Sequence, residues 1–342
     1  MDTGNVGTPR FYIDYGQYWQ AIGQFSVAGA FGSFGATTEQ WENLAHLNPS
    51  NIQTFPISGQ QDWGVSLWYT PWTSASQMDI NYCAWLGHNC ASAGASLGVS
   101  TYSVATGYVN VSASEIANFA VGGNLEALDG FSLVEFTGGE SGYEAFRPYV
   151  HPTYDSGWQS SFLTDLQFGA LSFGRYYEMP HSPDLSLTMS HEYDGIKTVE
   201  TKGGTTLSDM RYHKVPMWGD LEAWQLGGWN RLSSGRRVWD LSFSYVSDLD
   251  IEPYNYYGVV YEADTGSPLA YEGTDNWFTN VLYYTNGGQL PFIFQPDKDA
   301  TYDDSTYTVP EFAICRFDMS TFKRKQVANS VYNIKVKIVE SW

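Results

Sequence analysis

The sequence predicts a mainly β protein: a β-sandwich or jelly roll followed by a second β-sandwich that carries one packed short helix. Three observations lead there. Short apolar runs of period two recur along the chain, bounded by Gly, Asn and Asp. Aromatic residues are abundant, with 13 Trp, 25 Tyr and 19 Phe beside 34 Gly. That is the composition of strands joined by tight turns and paired through aromatic side chains. The 342 residues also exceed what one hydrophobic core usually organises, so two domains are expected.

In chain order, residues 1–60 read as an N-terminal arm or an edge segment. Thr8-Pro9 favours an extended start, and Phe11-Tyr12-Ile13-Asp14-Tyr15 has strand character. Tyr18 to Gly23 reads as a turn of helix or a continuation of the strand. Gly29 to Gly35 suits a loop. Glu39 to Leu47 fits a short helix capped by Thr37 or Thr38.

Residues 61–165 read as the first sandwich. Its strands are Val65–Tyr69, Met78–Leu86, Ala95–Tyr102, Phe131–Phe136 and Ala145–Val150, with a turn at Gly87-His88-Asn89. Residues 166–342 read as the second. It opens with alternating Leu166–Gly169 and Leu171–Gly174 and continues with a strand over Leu185–Ile196. Lys197–Ser208 reads as a hairpin or long loop around Gly203-Gly204.

The last third is the most legible part. Trp239, Leu241, Phe243 and Tyr245 alternate with small or polar residues, so they predict one buried face of a strand that ends at Asp248 and Asp250. Asp275 to Tyr284 reads as a short helix. Asp275 is its cap, Phe278, Val281 and Leu282 form its apolar stripe, and Asn286-Gly287-Gly288 is its stop. Strands follow over Leu290–Phe294 and Phe312–Phe317. The chain closes on Val331–Glu340, whose lysines face away from its isoleucines and valine. Each element has a single apolar face, so none stands alone.

Charge and motif content narrow the function. A formal net charge of −20 argues against nucleic acid, which needs clustered Lys and Arg, and against an anionic membrane surface. No run approaches a membrane span, and the N-terminus lacks the pattern of a secretory signal. Three cysteines, Cys83, Cys90 and Cys315, form no disulfide framework; Cys83 and Cys90 could pair across a turn, and the preferred reading is reduced and buried. Phosphate-binding loops, dinucleotide fingerprints and nucleophile elbows are absent. No catalytic residue, cofactor site or metal site is therefore assigned.

Four clusters hold residue types capable of chemistry. Cys83, His88 and Cys90 fall short of a tetrahedral zinc set. His181, His191, Glu192 and His213 lack the helical zinc-protease spacing. Asp248, Asp250 and Glu252, or Glu140 and Glu144, would have to flank a cleft to hydrolyse a glycoside. Asp297, Asp299, Asp303 and Asp304 make an oxygen-rich loop without calcium-binding spacing. The structural reading is preferred for each, with calcium at the last and a glycan-degrading enzyme as the remote options.

Two sets of short stretches each carry a family resemblance. Gly235-Arg236-Arg237-Val238-Trp239, Gly287 to Asp297, Phe312 to Phe317 and a closing strand ending in Glu340 resemble the closing module of minor tail and tail-tip proteins of long-tailed bacteriophages. That resemblance covers the last third and implies a tail-tube-like β-sandwich with one packed helix. Ala84 to Asn89 followed by Ser92-Ala93-Gly94-Ala95 is similar to phage-encoded galactose-binding-like, discoidin-like jelly rolls. Together they imply a structural virion protein of the tail tip or baseplate, made in the host cytoplasm. Its partners would be copies of itself and other tail proteins. Arg236 and Arg237 would lie at the joint between subunits, or else bridge the protein's own carboxylates. The alternative is an adhesin binding a host surface glycan through exposed Trp and Tyr.

Overall fold

The computed structural model describes residues 6–21, 27–28, 38–47, 52–59, 65–66, 68–69, 78–103, 107–110, 116–118, 129–143, 145–152, 154–155, 158–159, 161–192, 198–208, 217–218, 221–222, 236–252, 276–299, 312–318 and 321–341. The chain begins with β1 (Arg10–Asp14), α1 (Tyr15–Ala21), β2 (Val27–Ala28), α2 (Thr38–Asn43) and β3 (Gln53–Phe55). Next come β4 (Val65–Ser66), β5 (Trp68–Tyr69), β6 (Met78–His88), α3 (Cys90–Ala93), β7 (Ala95–Ser103), β8 (Gly107–Asn110) and β9 (Ile116–Asn118). They lead to β10 (Gly130–Tyr143), β11 (Ala145–Pro152), β12 (Tyr154–Asp155), β13 (Trp158–Gln159), β14 (Leu166–Phe168) and β15 (Ala170–Glu178). The middle of the chain holds β16 (Thr188–Glu192), β17 (Thr198–Glu200), β18 (Thr206–Ser208), β19 (Met217–Trp218) and β20 (Leu221–Glu222). The last third contains β21 (Arg236–Ser247), α4 (Asp248–Ile251), a π-helical turn (Phe278–Tyr283), β22 (Phe292–Gln295), β23 (Ala313–Phe317), β24 (Arg324–Ala328) and β25 (Val331–Glu340). The protein is mainly β, as its sequence predicts.

Eleven strands make one antiparallel sheet in the order β16-β21-β25-β23-β22-β1-β15-β6-β10-β9, with β24 also on β25. A six-stranded sheet, β2-β5-β11-β7-β8 with β4 on β11, packs over its β6–β10 end. One face of the large sheet buries two apolar clusters. Cys83, Trp85, Val134, Leu171 and Phe173 meet Leu97, Val99 and Val150 of the smaller sheet, which makes the first sandwich. Further along the same face, Phe11, Trp239, Phe243, Phe292 and Phe317 close around Trp277 beside the π-helical turn. Trp277 meets Phe11 edge-on at 5.0 Å and Phe317 at 5.5 Å, geometry that adds to the area it buries. The opposite face buries a third cluster, Tyr12, Tyr82, Ala84, Leu86, Leu133, Ile293 and Ile314.

The N-terminal strand departs most from expectation. β1 is neither an arm nor an edge: all five of its residues are buried, and it pairs with β15 on one side and β22 on the other. The division at residue 165/166 does not divide the sheet either, because β15 pairs with β6 over five residues.

The reason lies in polar side chains that find distant partners. Arg10 holds Glu135 of β10 and Glu178 of β15, and its guanidinium lies 4.5 Å over the Tyr176 ring. Tyr12 Oη donates to Glu135 Oε1 at 2.5 Å and lies 2.9 Å from Gln295 Oε1. In the strand order β10 is three steps from β1, about 14 Å in a flat sheet. An extended Tyr and Glu do not span that distance, so the sheet must curl to bring β10 over β1. Burial works against the Arg10 cation, but Tyr12, Glu135 and Glu178 outweigh it and push its pKa up. Asp14 ends the strand by accepting from Gln17 N at 3.1 Å and Gln17 Nε2 at 3.0 Å, so it caps α1.

The last third follows its sequence closely. Trp239, Leu241 and Phe243 are buried, and β25 spans the predicted Val331–Glu340, burying Ile334, Val336 and Ile338. Tyr245 departs from the predicted face: it has φ 63° and is 77% exposed. A bulge between Phe243 and Val246 turns it outward and gives its inward place to Val246. The helical cap is Asn276, whose Oδ1 accepts from Thr279 N at 2.9 Å; Asp275 lies outside the described residues. Asn286, Gly287 and Gly288 all take positive φ and stop the helix as predicted.

Candidate interaction surface

Two strand edges project from this body. The first begins at β16, the end of the large sheet. All five of its residues are exposed, and Leu185 just before it is fully exposed. After it in the chain, β17 and β18 form a two-stranded hairpin that pairs with no other strand among the described residues, in register Thr198↔Ser208, Val199↔Leu207 and Glu200↔Thr206. Thr201 and Thr205 close its turn by a 2.8 Å backbone bond, and Gly204 takes φ +81° with open space around it. That φ is why glycine stands there. Every residue from Thr198 to Ser208 is exposed, with Val199 at 62% and Leu207 at 57%. Of the hairpin or long loop read over Lys197–Ser208, the hairpin is the one present over Thr198–Ser208, and both its faces are uncovered among the described residues.

The second edge is β24. It pairs with β25 in register Arg324↔Ile334, Lys325↔Asn333 and Gln326↔Tyr332, and Ser330 at φ 57° turns the chain between the two strands. All of Arg324–Ala328 is exposed. Sequence reasoning missed this strand because Lys323, Arg324 and Lys325 interrupt any apolar alternation. The Asn329-Ser330 turn just before a strong strand was the available signal.

The sequence singled out Arg236 and Arg237. Both open β21, opposite Glu192 and His191 of the β16 edge. Arg237 is committed within the chain. Glu340 accepts from its Nη2 at 2.8 Å, its Nε at 3.2 Å and its backbone N at 3.0 Å. Nη2 also donates to Phe312 O at 3.1 Å, and the guanidinium lies 5.3 Å over Trp239. Of the two readings given for this arginine, the intrachain bridge is the one its contacts show. Arg236 is half-buried beside it.

Several residues of the four clusters are held by contacts within the chain. His88 is fully buried. Its Nδ1 accepts from Cys90 N at 3.3 Å and its Nε2 lies 2.9 Å from Ser132 Oγ, which occupies both nitrogens. Burial pulls its pKa down to about 4, against a smaller opposing effect of Asp129. Cys83, Cys90 and Cys315 are free and buried, and burial pushes each thiol up. His181 Nδ1 lies against Ser182 O at 2.7 Å, His191 sits on β16, and His213 is outside the described residues. Asp248 and Asp250 lie in α4, Tyr177 donates to Asp250 O at 3.1 Å, and Glu252 pairs with Arg324. Glu140 lies opposite Ile80 in the ladder, and Glu144 is outside the described residues. Asp297 Oδ1 accepts from Asp299 N at 3.1 Å, while Asp303 and Asp304 are outside the described residues. Among the described residues no group of three or more His, Cys, Asp or Glu could hold a metal ion, and no helix is long and apolar enough to cross a membrane.

No family model and no curated protein matches the chain. Two solved structures show a weak likeness over its β-sandwich fold. One is CBM32-3 from a family 31 glycoside hydrolase of Clostridium perfringens, at 16% identity and a TM-score of 0.31, covering 45% of this chain and 92% of that one. The other is CpGH89CBM32-5, also from Clostridium perfringens, in complex with GalNAc-β-1,3-galactose. It is 11% identical with a TM-score of 0.30, covering 47% of this chain and 99% of that one. Likeness at this level does not transfer a binding site.

Proposed function

We propose that this chain is a non-catalytic structural subunit that works by associating with copies of itself. The β17–β18 hairpin carries the proposal. A two-stranded hairpin alone is marginal in water. This one keeps its register with Val199 and Leu207 paired and uncovered among the described residues. A second chain covering them would remove apolar surface worth about 1.5–3 kcal/mol for each side chain fully buried. The setting in a bacteriophage tail tip rests on the resemblance of the last third, and neither solved relative is a virion protein.

The test is sedimentation velocity over a concentration series with the full chain and with Val199→Lys/Leu207→Glu. The variant keeps a favourable cross-strand pair while removing the apolar tip. Wild type should associate, and the variant should remain monomeric with unchanged circular dichroism. A wild type that stays monomeric, or a variant that associates equally, would remove this role.

A second reading, glycan recognition by the first sandwich, is favoured by one feature. Tyr149 alternates with buried Val150 and so lies on the outer side of the six-stranded sheet, stacked on His151 at 5.7 Å and 24°. Gly98 makes room for it, since a Cβ there would lie 2.3 Å from the Tyr149 ring. An outward aromatic plane is what a sugar ring stacks on. Glycan-array binding by the whole chain, lost on Tyr149→Ala, would support this reading; an array without signal would remove it.

A further inference from the structure

The chain is strongly acidic, yet its last stretch is not. From residue 313 to 342 it carries Arg316, Lys323, Arg324, Lys325, Lys335 and Lys337 against Asp318 and Glu340, a net of +4. Subtracting this from −20 leaves −24 on the rest of the chain. Three of these cations are used internally. Arg324 pairs with Glu252, Lys335 with Asp240 at 3.2 Å, and Lys337 with Asp318 at 2.6 Å. Arg316, Lys323 and Lys325 are exposed and have no ion-pair partner among the described residues. Lys323 and Lys325 flank and occupy β24, whose outer edge is open among those residues.

We infer that the β24 edge is the electropositive half of a head-to-tail contact, and that its occupant is the acidic surface of a second copy of this chain. This deepens the self-association reading and rests on it. Lysines along an edge repel another such edge, so two β24 strands do not pair with each other. The contact is therefore between unlike faces, which generates rings or filaments rather than closed two-fold pairs. A nucleic acid is the poorer occupant: the two free lysines at this edge belong to a chain whose remainder carries −24, which repels a polyanion beyond the patch. A surface of this chain supplies negative charge in a compact, folded form, at the concentration of the protein itself.

The experiment compares wild type, Val199→Lys/Leu207→Glu and Lys323→Glu/Lys325→Glu by sedimentation equilibrium across a salt series. It also measures fluorescence anisotropy with a labelled single-stranded oligonucleotide. Wild-type association should weaken as salt rises, against the trend expected if overall repulsion dominated. The Lys323→Glu/Lys325→Glu variant should lose about tenfold or more in association constant with an unchanged melting curve. If the hairpin variant dissociates while the lysine variant associates like wild type, the edge contact is overturned and self-association stands. Wild type that is monomeric throughout overturns both. Oligonucleotide binding that vanishes in the lysine variant overturns the second copy as occupant.

Discussion

Replacing Arg237 by Met separates its structural role from a role at a joint between subunits. The substitution keeps the apolar stem over Trp239 and removes three contacts: two side-chain bonds to Glu340 and one to Phe312 O. Glu340 is only 2% exposed and would retain one bond, from the backbone N of residue 237. Orphaning a buried charge costs roughly 3–5 kcal/mol. The Arg237 side chain is 21% exposed, so some water reaches the site and the lower end, about 3 kcal/mol, is expected. With an unfolding entropy of roughly 2.1 cal/mol/K per residue, about 0.7 kcal/mol/K for 342 residues, the Tm should fall by about 4 °C. The assay is calorimetry of the monomer at low concentration, with Arg237→Met/Glu340→Met as the companion. Removing both charges should recover most of the loss, because apolar replacement of a buried pair is often neutral. A single variant melting like wild type, or a double variant as unstable as the single, would refute the reasoning.

Three further outcomes are expected. Burial pushes the Asp14 carboxyl up to about 7 from an ordinary 3.8, against hydrogen bonds from Gln17 and Ser172 that pull the other way. A raised carboxyl contributes stability that is complete below pH 4 and is lost as pH rises toward 7. Asp14→Asn keeps the cap, so in urea titrations its advantage over wild type should be near zero at pH 4 and should grow up to pH 7; a constant difference would contradict this. Removing Asn333–Trp342 deletes most of β25, which holds β21 on one side and β23 and β24 on the other. The truncated chain should be insoluble or unfolded, and a soluble product with wild-type melting would contradict this. A fragment of residues 61–165 contains β6 and β10 but lacks β15, so its circular dichroism should melt without cooperativity; a sharp transition would show that the first sandwich folds alone.

The parts of the fold legible in sequence are those with local apolar patterning. Trp239, Leu241 and Phe243 announce their face, and Ile334, Val336 and Ile338 announce the closing strand. Tyr245 continues the pattern on paper and breaks it in space, because a bulge depends on backbone pairing with β25 rather than on residue type. The place of β1 was hidden for a different reason. Arg10, Tyr12 and Asp14 alternating with Phe11 and Ile13 read as a half-solvated strand. Their polar face is buried only because Glu135, Glu178 and Gln295 arrive from 125, 168 and 283 residues away. Arg237 likewise meets its carboxylate 103 residues later. At the interaction surface, Gly203-Gly204 betrayed the hairpin, whereas the basic β24 edge has no apolar face to betray it.

Self-association through the hairpin is the central claim, and hydrogen–deuterium exchange of the wild-type chain tests it most directly. Amide exchange is followed in a dilute, monomeric sample and in a concentrated one shown by sedimentation to be associated. Protection of residues 198–208 should rise on association, with the cores around Trp85 and Trp277 unchanged. Equal exchange of that segment in the two samples, with association confirmed, would contradict a subunit contact at the hairpin.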